Sequence, residues 1–192
     1  EIFKNIPKPK LEKIYEIVSR SARMPLGSSM GRLFDAVAAI TGVCMINNYE
    51  GQAPRMLESA ISSAADGTKY EPYLYEMNYD KRGKLIIEPA KVIFEVVEDV
   101  SAGKPVVEIA LRFHETVVAF TVEACRKLRE KALSDKIVLT GGVFQNRYIT
   151  ERLMDALPKE GFVVLTHGII PPNNSGLSAG QAYIARALTR AC

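Results

Sequence analysis

Between Pro105 and Ala132 the chain carries one long apolar stripe, formed by Val106, Ile109, Ala110, Phe113, Val117, Phe120, Ala124 and Leu128. Steps of three and four residues bring these side chains to one face of an α-helix. A helix this long can hide its stripe only if other elements pack along it, so the chain should fold as a lobe built around it. Upstream, Leu11, Ile14, Ile17 and Val18 have helical spacing from Lys10, ending between Ser19 and Met24, after a leading linker over 1–9 that holds Pro7 and Pro9. The hydroxyls of Ser28 and Ser29 suit the cap of a helix over about 31–41. A further helix is expected over about 51–65, stopped by Asp66-Gly67. The runs 73–77 and 84–88 flank Asp80-Lys81-Arg82-Gly83 and read as a β-hairpin, after which Pro89 opens a helix over about 90–101.

The last sixty residues have a different rhythm. Lys136-Ile137-Val138-Leu139-Thr140 is an apolar run closed by Gly141-Gly142, and Phe162-Val163-Val164-Leu165 is a second. Both read as buried strands. Helices over about 147–157 and 176–189 follow them, so strand, helix, strand, helix make a parallel, right-handed βαβα unit.

Charge and composition remove several function classes. Lys and Arg (25) against Asp and Glu (22) leave a net charge of +3, spread too evenly for a nucleic-acid footprint. No apolar run approaches the ~20 residues that span a bilayer. The start, Glu1-Ile2-Phe3-Lys4, has neither an initiator Met nor the apolar core of a signal peptide, so the chain is expected to be a piece of a longer protein. Cys44, Cys125 and Cys192 are far apart and odd in number, which suits reduced thiols in the cytoplasm better than a disulfide framework. His114 and His167 are the only histidines, so a multi-histidine metal site would need ligands from outside this chain.

Three segments could carry chemistry. Thr140-Gly141-Gly142-Val143-Phe144-Gln145-Asn146 lies directly after a strand and before a helix, where open α/β sheets bind ligands. Its glycines let a ligand approach the backbone, and the helix start offers N–H groups to an anion. The alternative is a tight strand–helix turn in which Asn146 only caps the helix. Pro171-Pro172-Asn173-Asn174-Ser175-Gly176 would face the same crevice, or would simply cap the last helix. In Ser28-Ser29-Met30-Gly31-Arg32-Leu33-Phe34-Asp35, Arg32 and Asp35 share a helix face. They form either a surface ion pair or a carboxylate able to accept hydrogen bonds from a ligand's hydroxyl pair. His114, one position from Phe113, reads as a packing histidine. The sequence contains neither a Walker A loop nor an HExxH motif, and no Ser-His-Asp grouping is evident.

Taken in order, Ser28 to Val37, Tyr49-Glu50-Gly51-Gln52-Ala53, Thr140 to Asn146 and Pro171 to Gln181 resemble the C-terminal part of HypF, the carbamoyltransferase family that matures [NiFe] hydrogenases. The strand–helix loop alone would also suit the tRNA threonylcarbamoyl-transfer enzymes of the TsaD type, which share the domain. The resemblance implies an α/β fold, a lobe of the sugar kinase/heat-shock ATPase/actin-like (TsaD-like) class with a helical insertion and a C-terminal parallel βαβα unit. Residues 1–192 would be the later portion of that domain, with 1–9 a linker, 10–70 a helical part and 71–192 a nucleotide-facing part. It further implies upstream YrdC-like and zinc-finger domains, carbamoyl adenylate made from carbamoyl phosphate and ATP with Mg²⁺, and the C-terminal cysteine of HypE as acceptor, leaving Cys192 incidental. Gly31, Gly141, Gly142 and Asn146 would cradle the nucleotide, and Asp35 would hold its ribose. A divalent metal of zinc or iron type would be bound by paired histidines upstream of Glu1 and by the 171–176 loop. There the family reads Pro-Pro-Asn-Asp-Gly-Gly, whereas this chain has Asn174 and Ser175. A neutral amide is a poorer metal ligand than a carboxylate. Other readings of the chain are a nucleotide-binding or partner-docking module without catalysis, and a TsaD-like enzyme.

Overall fold

The computed structural model describes residues 6–20, 27–62, 70–132 and 134–190. In chain order they form α1 (Lys8–Ser19), α2 (Met30–Ile40), α3 (Gln52–Ile61), β1 (Glu76–Tyr79), β2 (Leu85–Glu88), α4 (Ala90–Ser101), α5 (Val106–Ala132), β3 (Lys136–Val138), α6 (Arg147–Lys159), β4 (Val163–Leu165) and α7 (Leu177–Arg190). The expected stop at Asp66-Gly67, the loop at 25–26 and Cys192 lie outside the described residues.

The long stripe does form the central helix, α5, but its burial is not that of a stripe. Ile109, Ala110, Leu111, Phe113, His114, Thr116, Val117, Val118, Phe120 and Val122 are all buried, whereas Val106 and Leu128 near the two ends are exposed. The middle of α5 is covered from several sides because α3, α4 and α6 each pack against it. Phe34 of α2 meets Phe113 edge to face at 4.8 Å, a favoured aromatic geometry. α1 begins at Lys8, two residues before the expected start at Lys10. Pro9 sits in the first turn of α1, where a missing N–H costs no intrahelical bond. Likewise α6 runs through Pro158 to Lys159, because only its last turn is affected.

The hairpin pairs Glu76 with Glu88 and Tyr79 with Leu85, closed by Asp80, whose carboxylate accepts from the amides of Arg82 and Lys84 at 2.8 Å. β3 and β4 are parallel, with Ile137 opposite Val164. The expectation that both strands are buried fails on one face. Ile137 and Val164 face the core side, but Val138 and Val163 are 58% and 53% exposed. With two strands in this sheet, Val138, Val163 and Leu165 leave its second face half-exposed. The apolar side chains of α1 and α7 (Ile17, Val18, Tyr183, Ile184 and Leu188) are exposed as well.

A buried polar cluster locks the segment before β1 to the helices. Asp99 of α4 accepts from the Tyr73 hydroxyl at 2.9 Å and from Arg112 at 2.6 Å, and pairs with Lys104 at 2.9 Å. The Tyr73 amide donates to Thr116 Oγ1 at 2.8 Å, and Arg112 lies 4.0 Å over the Tyr73 ring. Burial pushes the Asp99 carboxyl up, but hydrogen bonds from Lys104 and Tyr73 and the Arg112 charge outweigh it and hold it below the usual carboxylate range. Its stabilising effect is therefore complete above the unfolded value of about 4 and is lost as the pH falls through the lower folded value. Asp99→Asn should cost about 3 kcal/mol in urea unfolding at pH 7. It should also flatten the acid limb of the stability curve, and an unchanged acid limb would mean that Asp99 is not the group holding this corner.

Candidate functional site

Both strands of the parallel pair end at the same edge, and their following loops are tied together. Leu139 N–H donates to Leu165 O at 3.0 Å, and Gly141 N–H donates to Pro172 O at 2.7 Å. His167 Nε2 lies 3.0 Å from Thr140 Oγ1. Gly141 has φ 109° and ψ 159°, a conformation essentially restricted to glycine, and it aims the chain into a 3₁₀ turn over Gly142–Gln145. A Cβ on Gly176 would lie 2.7 Å from Pro171 O, so the second loop also depends on a glycine, here for close approach.

Against these loops stand the N-terminus of α2 and the start of α3. Together they enclose an open cleft of about 740 Å³. Gly31, Gly141, Gly142, Asn146 and Asn174 all line it, as do Glu50 and Gly51. Asp35 is not among the lining residues. Its carboxylate pairs with Arg32 at 2.8 Å and accepts from Asn47 Nδ2 at 3.2 Å, while Arg32 itself faces the cleft. Asn146 shows the capping geometry: its Oδ1 accepts from Ile149 N–H at 3.0 Å and its Nδ2 lies 3.0 Å from His114 Nε2. Both ends of that amide are thus engaged by the protein.

Sequence reasoning missed Arg55 and Glu58, which also line the cleft from α3. Glu58 Oε1 accepts from the Arg147 amide at 2.6 Å, pinning α3 to the start of α6. The two residues are 89 positions apart, and no local signal joins them. Asn47 was missed too. Its Oδ1 accepts from Ala53 N–H at 3.0 Å, so one amide links α2 to the first turn of α3. The cleft wall therefore carries two arginines, 32 and 55, and two glutamates, 50 and 58, beside exposed backbone.

These features suit a ligand with anionic and polar parts better than a wholly apolar one. They do not suit a metal ion. Asn174 and Ser175 offer neutral oxygens, and among the described residues no group of three or more His, Cys, Asp and Glu is placed to hold one.

A family model described as "Carbamoyltransferase, Kae1-like Domain, second subdomain" matches residues 2–181. The chain belongs to the HypF carbamoyltransferase family. It is 38% identical to the carbamoyltransferase HypF of Rhodobacter capsulatus over 90% of its own length and 21% of that protein's. It is 29% identical to the probable carbamoyltransferase HypF of Methanocaldococcus jannaschii over 88% of its length and 21% of that protein's. The crystal structure of full-length HypF in its phosphate- and nucleotide-bound form superposes with a TM-score of 0.86 at 35% identity, covering 97% of this chain and 24% of that one. The structure of HypF from T. kodakarensis (TM-score 0.77, 21% identity, 96% and 23% coverage) shares the fold. The chain thus spans about a fifth of the length of the curated HypF relatives it matches, and the Kae1-like fold agrees with the TsaD-like expectation. No described helix is long and apolar enough to cross a membrane.

The two adjacent glycines make a discriminating pair. Gly142 has no left-handed φ, and a Cβ there would meet nothing within 4 Å. Gly141→Ala should destabilise the chain by about 1–3 kcal/mol through backbone strain, and Gly142→Ala by less than about 1 kcal/mol. Equal thermal shifts for the two variants would contradict the backbone assignment.

Proposed function

We propose that the chain is the later, nucleotide-facing portion of a two-lobed HypF carbamoyltransferase domain, and that its cleft takes the adenylate part of carbamoyl adenylate. The observation that carries this reading is the convergence of the two strand-end loops and the start of α2 on one cleft. Gly141 and Gly142 leave the backbone open to a phosphate, Arg32 and Arg55 supply positive charge, and the dipole at the start of α2 adds to it. Asp35, tied to Arg32, is proposed to act on the ribose side once a ligand draws Arg32 toward phosphate. The nucleotide-bound HypF structure supports the choice of ligand, since this chain is 35% identical to it along nearly its whole length.

In the reaction proposed for the whole protein, carbamoyl adenylate is formed from carbamoyl phosphate and ATP on the upstream YrdC-like domain. The thiolate of the HypE C-terminal cysteine attacks the carbamoyl carbon. A C–S bond forms, the C–O bond to the AMP phosphate breaks, and AMP leaves with the electron pair. With the acceptor entering as a thiolate, this lobe need not contribute a base. Its part is to hold the leaving group and offset charge on the phosphate as AMP departs.

The open face of β3 and β4 and the exposed apolar sides of α1 and α7 support a second half of the reading: the other lobe of the domain covers them. The chain alone would then hold only part of the nucleotide site and have no transfer activity. In calorimetry with ATP and Mg²⁺, the isolated chain should bind with a Kd weaker than about 100 μM, whereas the full-length protein binds at least tenfold tighter. Gly142→Val in the full-length protein should lower that affinity at least tenfold, by filling space the nucleotide needs. Submicromolar binding by the isolated chain would contradict the two-lobed site, and unchanged affinity of the Gly142→Val protein would remove the glycine loop from it.

A further inference from the structure

We propose that His114 is a positioning residue, which from inside the core fixes the amide of Asn146 and through it the Gly142–Gln145 turn that lines the cleft. His114 is wholly buried in the middle of α5. Its Nδ1 lies 2.7 Å from the carbonyl oxygen of Ala110. A carbonyl only accepts, so Nδ1 carries the proton, and the neutral ring must present Nε2 as a lone pair. That lone pair is 3.0 Å from Asn146 Nδ2. The amide can then point only one way, with Nδ2 donating to the imidazole and Oδ1 accepting from Ile149 N–H at the start of α6. The opposite orientation would set oxygen against the Nε2 lone pair and NH₂ against the Ile149 N–H.

The oriented Asn146 holds more than a helix cap. Its own N–H donates to Val143 O at 3.0 Å and closes the 3₁₀ turn. Thr150 Oγ1 donates to Phe144 O at 3.0 Å and holds the same turn from α6. On its other side, the imidazole meets the ring of Phe34 edge-on at 5.4 Å, and Phe34 lines the cleft from α2. His114 therefore touches both walls of the cleft, one through a hydrogen bond and one through packing. An aliphatic side chain would fill this space without the cost of desolvating an imidazole. The cost is explained if the ring's hydrogen bonds are what the position requires.

The surroundings keep the ring neutral. Burial pushes the imidazole down to about 4, against smaller upward effects of its bond to Ala110 O and of the nearby Glu115 charge. Glu115 follows His114 on α5, and its carboxylate is taken up by Arg152 at 2.7 and 2.8 Å and by the Tyr148 hydroxyl, both on α6. Tyr148, whose ring is 5.7 Å from the imidazole, stays protonated because burial raises its hydroxyl well above the usual range, aided by the bond to Glu115. Nε2 is thus available as an acceptor throughout the neutral range.

The inference depends on the adenylate reading only for what the turn binds, so its test has an arm that needs no ligand. In the 192-residue chain, His114→Leu fills the space without an acceptor, and His114→Gln restores one near the position of Nε2. Amide hydrogen exchange at Phe144, Asn146 and Ile149 should be about tenfold faster in the Leu variant, with the β1–β2 hairpin unchanged. The Gln variant should return to within about threefold of the unaltered chain. Unchanged exchange in the Leu variant, or failure of Gln to rescue it, overturns the proposal. Should the Leu variant not fold, nitrogen NMR of the unaltered chain decides: an Nδ1–H tautomer at pH 7 supports the assignment, and an Nε2–H or charged ring overturns it. ADP titration of the full-length protein forms the separate arm: no binding there counts against the adenylate reading and leaves the exchange result to judge His114.

Discussion

The hydrophobic core of the described fold is arranged around the burial of the middle of α5. Ten consecutive-turn positions between Ile109 and Val122 are withdrawn from water. Each large apolar side chain among them contributes about 1.5–3 kcal/mol by burial, so this one helix organises the hydrophobic core. The two polar members, His114 and Thr116, are each placed so that burial is compatible with full hydrogen bonding. Thr116 Oγ1 accepts from Tyr73 N–H and donates to Arg112 O, anchoring the segment that leads into the hairpin. His114 reaches the opposite way, to Asn146 and the cleft. The core helix therefore sets both the scaffold and the floor of the site.

The cleft is the product of chain geometry more than of any reactive side chain. A parallel pair of strands delivers two loops to one edge, and the Gly141–Pro172 hydrogen bond makes them a single surface. The start of α2 and Glu50-Gly51 supply the facing wall. An arrangement of this kind recognises and orients a ligand rather than reacting with it.

Much of this was legible in the sequence because local chemistry settled it. Pro89, Pro105 and the Gly141-Gly142 pair mark element boundaries within one or two residues, and periodicity named α1 and α5. The glycine-bearing loop and the start of α2 were found because their motifs are contiguous. What stayed hidden was everything that depends on distant pairing. Glu58 caps α6 across 89 residues, and Asn47 bridges α2 to α3. His114 looked like a packing residue, and only its 3.0 Å approach to Asn146 shows that it also orients an amide. The half-exposed β3 and β4 were misread for a physical reason. An apolar run reports that a strand is meant to be covered on both faces, but not which piece of polypeptide covers it.

Binding of a nucleotide in this cleft is tested most directly by where it touches the surface. Amide chemical-shift mapping of the chain with ADP, taken to millimolar concentration to reach weak binding, should move Gly31, Arg32, Gly141, Gly142 and Val143 while leaving the β1–β2 hairpin unmoved. Shifts centred away from the cleft, or none at all when the full-length protein binds the same nucleotide, would contradict it.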